Sequence, residues 1–236
     1  MSEPYRADNL LDRLGDDATR QVHYDHQFSR ERAITARRLP LDGGDVLSVG
    51  CGWHPGRHLF PRPAWRMTGV DLNPDMIAML RESGELDDGT EGRAGELPYE
   101  PGSFDVVLYR LVLHHIAYQG PLGPVFREAA RLLRPGGALV AVEPGLWHPV
   151  GAGLALANRA GLGPAVHGTP DDIPLSPRAL TREARAAGLE PELHAVTYSW
   201  RRLPAGAQRA VQSLDDSGSR PRLAPFGHTL MLIARV

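Results

Sequence analysis

The sequence predicts an α/β fold built on a doubly wound, mostly parallel sheet. Three observations predict it. Val46–Val49 is a short apolar, β-rich run that reads as a buried parallel strand, and Gly50-Cys51-Gly52 follows it at once. Met67–Val70 reads as a second strand and ends on Asp71. Phe104–Tyr109 reads as a strongly apolar central strand. Strand, glycine turn, second strand and acid outline a nucleoside-binding βαβ unit. In such a unit Gly50 and Gly52 let the backbone approach a ligand, and Asp71 accepts hydrogen bonds from ribose hydroxyls. The stricter dinucleotide pattern needs glycine at position 55, where this chain has Pro55; that counts against a nicotinamide enzyme.

The other elements follow in order. Residues 1–19 are polar and read as loosely ordered. Thr19–Leu39 has helical character, with Val22, Phe28, Ile34 and Leu39 as its expected buried positions. Leu41–Asp45 is a turn. Pro55, Pro61 and Pro63 fall where a full helix would follow the first strand, so only a short, late helix over Gly56–Phe60 is expected. Asn73 as N-cap and Pro74 at the first helical position predict a helix over Pro74–Glu82. Leu86–Gly92 reads as a turn-rich loop running into a short strand near Thr90–Ala94. Leu122–Leu133 is an amphipathic helix stopped by Arg134-Pro135-Gly136-Gly137, and Ala138–Val142 is the next strand. Residues 144–175, rich in Gly and Pro, form an insertion expected to cap the substrate side. Ser176–Ala187 is a capped helix, and Leu193–Tyr198 and Thr229–Arg235 are the closing strands. With no internal repeat and no visible boundary, 1–236 reads as one domain.

Composition narrows the function classes. A chain of 236 residues with 42% hydrophobic residues is large enough for one full α/β core. Its single cysteine, Cys51, excludes an internal disulfide and a Cys-rich zinc site. All 26 basic residues are arginine, so Schiff-base and phosphate-loop lysines are excluded. The net charge of −2, with no basic block, argues against a nucleic-acid partner. There is no apolar run of membrane-span length and no visible signal peptide, which predicts a cytoplasmic protein. His148, His167 and His194 show no ligand spacing, and no metal is expected.

Five segments then occur in a fixed order: Val-Leu-Ser-Val-Gly-Cys-Gly, Gly-Val-Asp-Leu-Asn-Pro-Asp-Met, Leu-Pro-Tyr-Glu-Pro-Gly-Ser-Phe-Asp-Val-Val-Leu, Leu-Val-Leu-His-His-Ile and Leu-Leu-Arg-Pro-Gly-Gly-Ala-Leu. Together they resemble the class I S-adenosylmethionine (SAM) dependent methyltransferases, in the branch that includes small-molecule enzymes. The resemblance covers roughly residues 20–145 well and 176–236 weakly. It implies a seven-stranded Rossmann-like sheet with helices on both faces and SAM as cofactor. It also implies methyl transfer to a small-molecule acceptor, an N-terminal helical lid near residues 19–39, and no nucleic acid; a homodimer is compatible with it.

The resemblance also assigns residues. Backbone groups of Gly50, Cys51 and Gly52 meet the methionyl portion, Asp71 the ribose and Met76 the adenine, and Leu72 is a further cofactor-binding candidate. Ala94, Gly95, Glu96 and Leu97 belong to the segment that reads the adenine edge. The family usually carries an acid at the position of Arg93, which is a donor only, so that hydrogen bond is lost or moved to Glu96 or to the backbone. Tyr109 and Arg110 end the central strand, facing the crevice. His114 and His115 are candidate bases, with a structural pinning role as their alternative. Tyr24 and His26 on the N-terminal helix and Glu143 after the next strand complete the catalytic candidates. Two other readings stay open: a SAM-dependent enzyme of this fold that transfers no methyl, and a catalytically silent SAM-binding protein.

Overall fold

The computed structural model describes residues 17–52, 54–167, 169–215 and 221–236; the expectation for residues 1–19 therefore lies, up to residue 16, outside the described residues. Seven strands form one sheet: β1 (Gly44–Val49), β2 (Trp65–Asp71), β3 (Asp88–Glu91), β4 (Phe104–Arg110), β5 (Leu133–Pro144), β6 (Glu190–Thr197) and β7 (Thr229–Arg235). Their order is β3-β2-β1-β4-β5-β7-β6. β1 pairs in parallel with both β2 and β4, β2 with β3, and β4 with β5. The order therefore reverses between β1 and β4, which makes the carboxyl ends of these strands the switch point where α/β sheets bind ligands. The helices are α1 (Asp17–Arg38), α2 (Pro74–Glu82), α3 (Leu113–Gln119), α4 (Gly123–Leu132), α5 (Pro149–Arg159), α6 (Gly163–His167), α7 (Pro177–Ala186) and α8 (Ala205–Gln212).

The chain divides into two compact units. One holds the described residues up to Ile34 with Glu143–Ala179 and Leu193–Met231; the other holds Thr35–Val142, Leu180–Glu192 and Leu232–Val236. In the second unit the central strands are apolar because they are covered on both faces. Val46, Leu47, Val106, Val107, Leu108, Leu139 and Val140 have essentially no exposed surface. α4 buries Val125, Phe126, Ala129 and Leu132, one stripe at helical spacing. α2 begins as its sequence dictates: Asn73 Oδ1 accepts from the Asp75 N–H at 3.0 Å and the Met76 N–H at 3.4 Å.

Several expectations need correction. No helix forms at Gly56–Phe60; the segment is a turn in which the Leu59 N–H reaches the Gly56 carbonyl at 2.9 Å and the Phe60 N–H that of Arg57 at 3.2 Å. Pro61 and Pro63 lack the N–H groups that would carry the ladder on. Arginines pin the connection instead. Arg57 donates to the Glu85 carbonyl at 2.9 Å, the Trp65 carbonyl at 3.0 Å and Asp87 at 2.7 Å, and Arg62 donates to the other Asp87 oxygen at 2.6 Å. Burial would raise the pKa of Asp87, but the Met67 N–H and the two arginines hold it below the ordinary carboxylate value.

β3 lies two residues earlier than expected, and β5 begins early, so the expected stop at Arg134–Gly137 sits inside it. There the register shifts between Phe104 and Val106, a bulge that absorbs these residues. α3 and α8 were not anticipated. Residues 144–175 contain α5 and α6. The buried face of α1 also differs. It carries His23, Gln27, Glu31 and Thr35 beside Ile34, a largely polar stripe at helical spacing, whereas Val22 and Phe28 are only half-buried.

Candidate functional site

The glycine turn after β1 is set by the backbone. Gly50 has φ +65° and Gly52 φ +44°, a region that side chains disfavour. The N–H groups of Gly50 and Cys51 both reach the Val70 carbonyl, at 2.7 and 3.1 Å, which seats the turn on the end of β2. A Cβ on Gly50 would lie 2.3 Å from Val112 Cγ2, so glycine is also required by packing. Beside Gly52 the space is open; a Cβ there would meet only the Gly50 carbonyl oxygen, at 3.8 Å.

Asp71 closes this turn. One carboxylate oxygen accepts from the Gly52 N–H at 3.0 Å and the other from the Asn73 N–H at 3.0 Å. Each carboxylate oxygen can accept twice, so one site on each is left for a ligand hydroxyl. Glycine cradle and half-used carboxylate fit a ribose-bearing cofactor. The second role of Asn73, ordering Asp71 while capping α2, was not legible, because it needs the strand end and the helix start in one place.

Cys51 is buried, and its thiol is pushed up to about 12 by that burial and then by the Asp71 carboxylate. It is therefore a neutral filler, packed where Gly69 leaves room: a Cβ on Gly69 would lie 3.0 Å from Cys51 Sγ. Leu72 is exposed, and Met76 is half-buried on the first turn of α2. Arg93, Ala94, Gly95 and Glu96 form a tight turn closed by the Glu96 N–H on the Arg93 carbonyl at 3.1 Å, with both charged side chains exposed. Leu97 is buried. Its N–H donates to Glu128 Oε1 at 2.9 Å, and its carbonyl accepts from Arg131 at 3.3 Å, so its backbone is already engaged. Hydrogen bonds from Arg131, opposed by burial and aided by the Leu97 N–H, hold Glu128 below the ordinary carboxylate value.

The end of β4 splits the expectation for Tyr109 and Arg110. The Tyr109 side chain does not face a crevice. It is fully buried, its hydroxyl donates to the Val125 carbonyl at 3.4 Å, and burial raises its pKa. Side chains alternate along a strand, so only one of two successive residues can point to a given face. Arg110 is buried as well, and its Cδ lies 3.9 Å from the position of a Cβ on Gly56. The next residue, Leu111, takes a left-handed φ of +55° while its N–H reaches the Val142 carbonyl at 2.9 Å. Such a conformation costs about 1–2 kcal/mol in a side-chain-bearing residue. It marks the turn that delivers α3, and nothing in the sequence signalled it. His114 and His115 open α3 with rings 4.1 Å apart; His114 is buried and His115 half-buried.

The remaining catalytic candidates belong to the other unit. The Tyr24 hydroxyl accepts from Arg201 Nη1 at 2.9 Å. His26 Nε2 lies 2.7 Å from Asp215 Oδ2, and Asp215 also accepts from the Tyr198 N–H at 2.9 Å. Glu143, near the end of β5, is buried. His148 caps α5, accepting from the Val150 N–H at 3.3 Å. Among the described residues no cluster of three or more His, Cys, Asp or Glu is placed to hold a metal ion, and no helix is long and apolar enough to cross a membrane.

Residues 47–141 match the family model for a methyltransferase domain. Over this segment the chain is similar to SAM-dependent methyltransferases. It is 41% identical over 109 residues to the probable phthiotriol/phenolphthiotriol dimycocerosates methyltransferase 2 of Mycobacterium ulcerans, covering 44% of this chain and 40% of that one. It is 32% identical over 161 residues to the 27-O-demethylrifamycin SV methyltransferase of Amycolatopsis mediterranei, covering 62% and 58%. The matched region thus spans about half the length of these relatives. A Thermotoga maritima structure described as a SAM-dependent methyltransferase, possible histamine N-methyltransferase, superposes with a TM-score of 0.63 over 91% of this chain and 93% of that one. At 16% identity, that likeness shows the fold.

Proposed function

We propose that this protein is a SAM-dependent methyltransferase that transfers a methyl group from SAM to a small-molecule acceptor in biosynthesis. The observation that carries the reading is the Asp71 carboxylate, held by the N–H groups of Gly52 and Asn73 and left with one acceptor site on each oxygen. When bound, SAM supplies an electrophilic methyl group on a sulfonium. The chain's own residues do the rest. The Gly50–Gly52 backbone receives the methionyl portion, Asp71 accepts from the ribose hydroxyls, and Leu72 and Met76 flank the adenine. Ala94, Gly95 and Glu96 offer polar groups to the adenine edge in place of the missing acid. Arg110 is suited to a carboxylate. Burial at the switch point excludes water and fixes orientation, which is most of what an alkyl transfer asks of a protein. His114 and His115 are kept as proton acceptors for a hydroxyl acceptor. The name of one relative, 27-O-demethylrifamycin SV methyltransferase, supports a small-molecule acceptor.

Titration calorimetry with SAM tests the cofactor, and product mass tests the reaction. Binding of SAM together with a mass gain of one methyl group on a small molecule is the expected result. Binding with an acceptor product of unchanged mass would replace methyl transfer by another SAM-dependent reaction. No binding by a folded protein would sink the reading.

A further inference from the structure

The turn proposed above to face the adenine edge is weak by itself and is braced from behind. Arg93–Glu96 is closed by the Glu96 N–H on the Arg93 carbonyl at 3.1 Å. Arg93, Gly95 and Glu96 are exposed, so burial adds little to the order of the turn. Its two ends are anchored instead. On the entry side the Gly92 N–H donates to the Asp71 carbonyl at 3.0 Å, which ties the turn to the strand end that carries the carboxylate assigned to the ribose. On the exit side α4 holds Leu97 through both of its backbone groups.

This clasp is built from Glu128 and Arg131. Glu128 Oε1 accepts from the Leu97 N–H at 2.9 Å and from Arg131 Nη2 at 2.7 Å, and its Oε2 accepts from Arg131 Nε at 2.8 Å. Pairing through both oxygens fixes the plane of the carboxylate. The Glu128 side chain is only 11% exposed, so water does not readily replace these partners. Arg131 turns its remaining reach on the same segment, donating to the Leu97 carbonyl at 3.3 Å and to the Tyr99 carbonyl at 2.9 Å. Its own carbonyl accepts from the Gly102 N–H at 3.0 Å. One turn earlier on α4, Pro124 stands beside Gly95: a Cβ on Gly95 would lie 3.8 Å from Pro124 Cβ. Pro124, Glu128 and Arg131 share one face of the helix at its natural spacing, whereas Val125, Phe126, Ala129 and Leu132 are the buried residues. One face of α4 thus serves the core and another serves the turn.

We propose that Glu128 and Arg131 are positioning residues for the Arg93–Glu96 turn and that, through it, they set the selectivity for the base of the cofactor; the assignment rests on the SAM reading above. Neither side chain touches the base. Adenine presents a ring acceptor beside an amino donor, whereas hypoxanthine presents a ring N–H donor beside a carbonyl acceptor. A turn held in one place matches only one of these patterns, and the other leaves polar groups unpaired. A turn free to shift pairs with either. Selectivity therefore depends on how firmly the clasp holds Leu97, all the more because Arg93 has no acceptor to offer the amino group.

Calorimetry on the full chain with S-adenosylhomocysteine and with its inosine counterpart tests the assignment. The wild-type protein is expected to bind the adenine compound about tenfold or more tightly than the inosine compound. Glu128→Ala is expected to bring the two affinities together, chiefly by weakening the adenine compound. A variant that is merely less stable loses both affinities by the same factor, and the ratio does not move. If Glu128→Ala does not fold, Arg131→Gln carries the test: that side chain is 36% exposed, and its loss is expected to lower the ratio in the same direction. An unchanged ratio in the folded variant, or no preference in the wild-type protein, overturns the positioning role. Binding of neither compound by the folded wild-type protein overturns the SAM reading instead, so the two failures are told apart.

Discussion

The unit built on β1 and β4 and the unit built on most of α1 solve burial in different ways. The first packs Val46, Leu47, Val106, Val107, Leu108, Phe126 and Leu139, and its polar groups gather at the strand ends, where Asp71 and the glycine turn lie. The second buries His23, Gln27, Glu31, Thr197, Ser199, Gln208 and Asp215. Its order comes from specific partners. Arg30 donates to the carbonyls of Val196 and Asp215, both at 3.1 Å, and Gln208 Nε2 reaches the carbonyls of Thr19 at 3.1 Å and Leu203 at 2.9 Å. An apolar core tolerates small changes, because burial is non-directional. A polar core is intolerant, because each group left unpaired incurs its full desolvation cost. A nucleotide scaffold is served by the first arrangement.

The largest effect is expected where the apolar unit turns polar. Asp71→Ala removes the acceptor proposed for two ribose hydroxyls and releases the N–H groups of Gly52 and Asn73. Each charge-assisted hydrogen bond is worth roughly 1.5–3 kcal/mol, so SAM affinity is expected to fall by about a hundredfold or more. Calorimetry that returned wild-type affinity for a folded Asp71→Ala protein would remove the ribose assignment.

Gly50→Ala tests the same turn sterically. The new Cβ meets Val112 Cγ2 at 2.3 Å, at a φ of +65°. The left-handed conformation costs about 1–2 kcal/mol and the overpacking about 1–3 kcal/mol. Urea denaturation is expected to show both. Adding Val112→Ala should recover only part of the packing cost, since Val112 Cβ stays 2.9 Å away and φ is unchanged. Full recovery in the double variant would show that the turn carries no backbone strain.

These two sites also mark what could be read in advance. The strands around Val46–Val49 and Phe104–Tyr109, the Asn73 cap and the helix over Pro74–Glu82 follow from local patterns: apolar runs, a capping side chain, a proline at the first helical position. The polar stripe of α1 does not. His23 and Glu31 are solvent-facing by every local rule, and partners that hold this helix, such as Asp215, 189 residues from His26, lie far away in the sequence. The turn at Gly56–Phe60 was half legible: its prolines were visible, but the arginine clasp on Asp87 that replaces the helix depends on β3. Tyr109 shows the same limit. Its place at the strand end was readable, whereas the face that its ring takes is decided by α4.

The polar unit is expected to show its character in the pH dependence of stability. His23 falls from 6.5 to about 4 on folding, mainly through burial. Between these values the unfolded chain binds the extra proton, so this contribution is complete above pH 6.5 and is lost as pH falls toward 4. The shift corresponds to about 3 kcal/mol. The lowered values of His148 and His228 act in the same direction. Urea denaturation at pH 7 and pH 5 should therefore give a steeper loss for the wild type than for His23→Gln. Equal slopes would mean that the His23 ring takes up its proton in the folded state as easily as in water.

The smallest effect is expected at Arg93, and it sharpens the comparison from the scaffold side. The family's usual acid at this position accepts from the adenine amino group, and arginine has no acceptor to offer. Arg93 is exposed in a turn whose geometry rests on the backbone bond from the Glu96 N–H to its carbonyl, so its side chain is not what shapes the turn. Arg93→Asp should therefore leave the fold intact and either maintain SAM affinity or improve it, by roughly the worth of one hydrogen bond to a charged group, about 1.5 kcal/mol at most in so exposed a place. Calorimetry on the pair Arg93→Asp and Arg93→Ala separates the outcomes. A gain confined to the aspartate variant would show that the adenine edge lies against this turn and that the chain has given up a contact there. A large loss in both, with thermal stability unchanged, would show that Arg93 itself holds the cofactor, and the scaffold unit would then depend on a charged contact as specific as any in the polar unit.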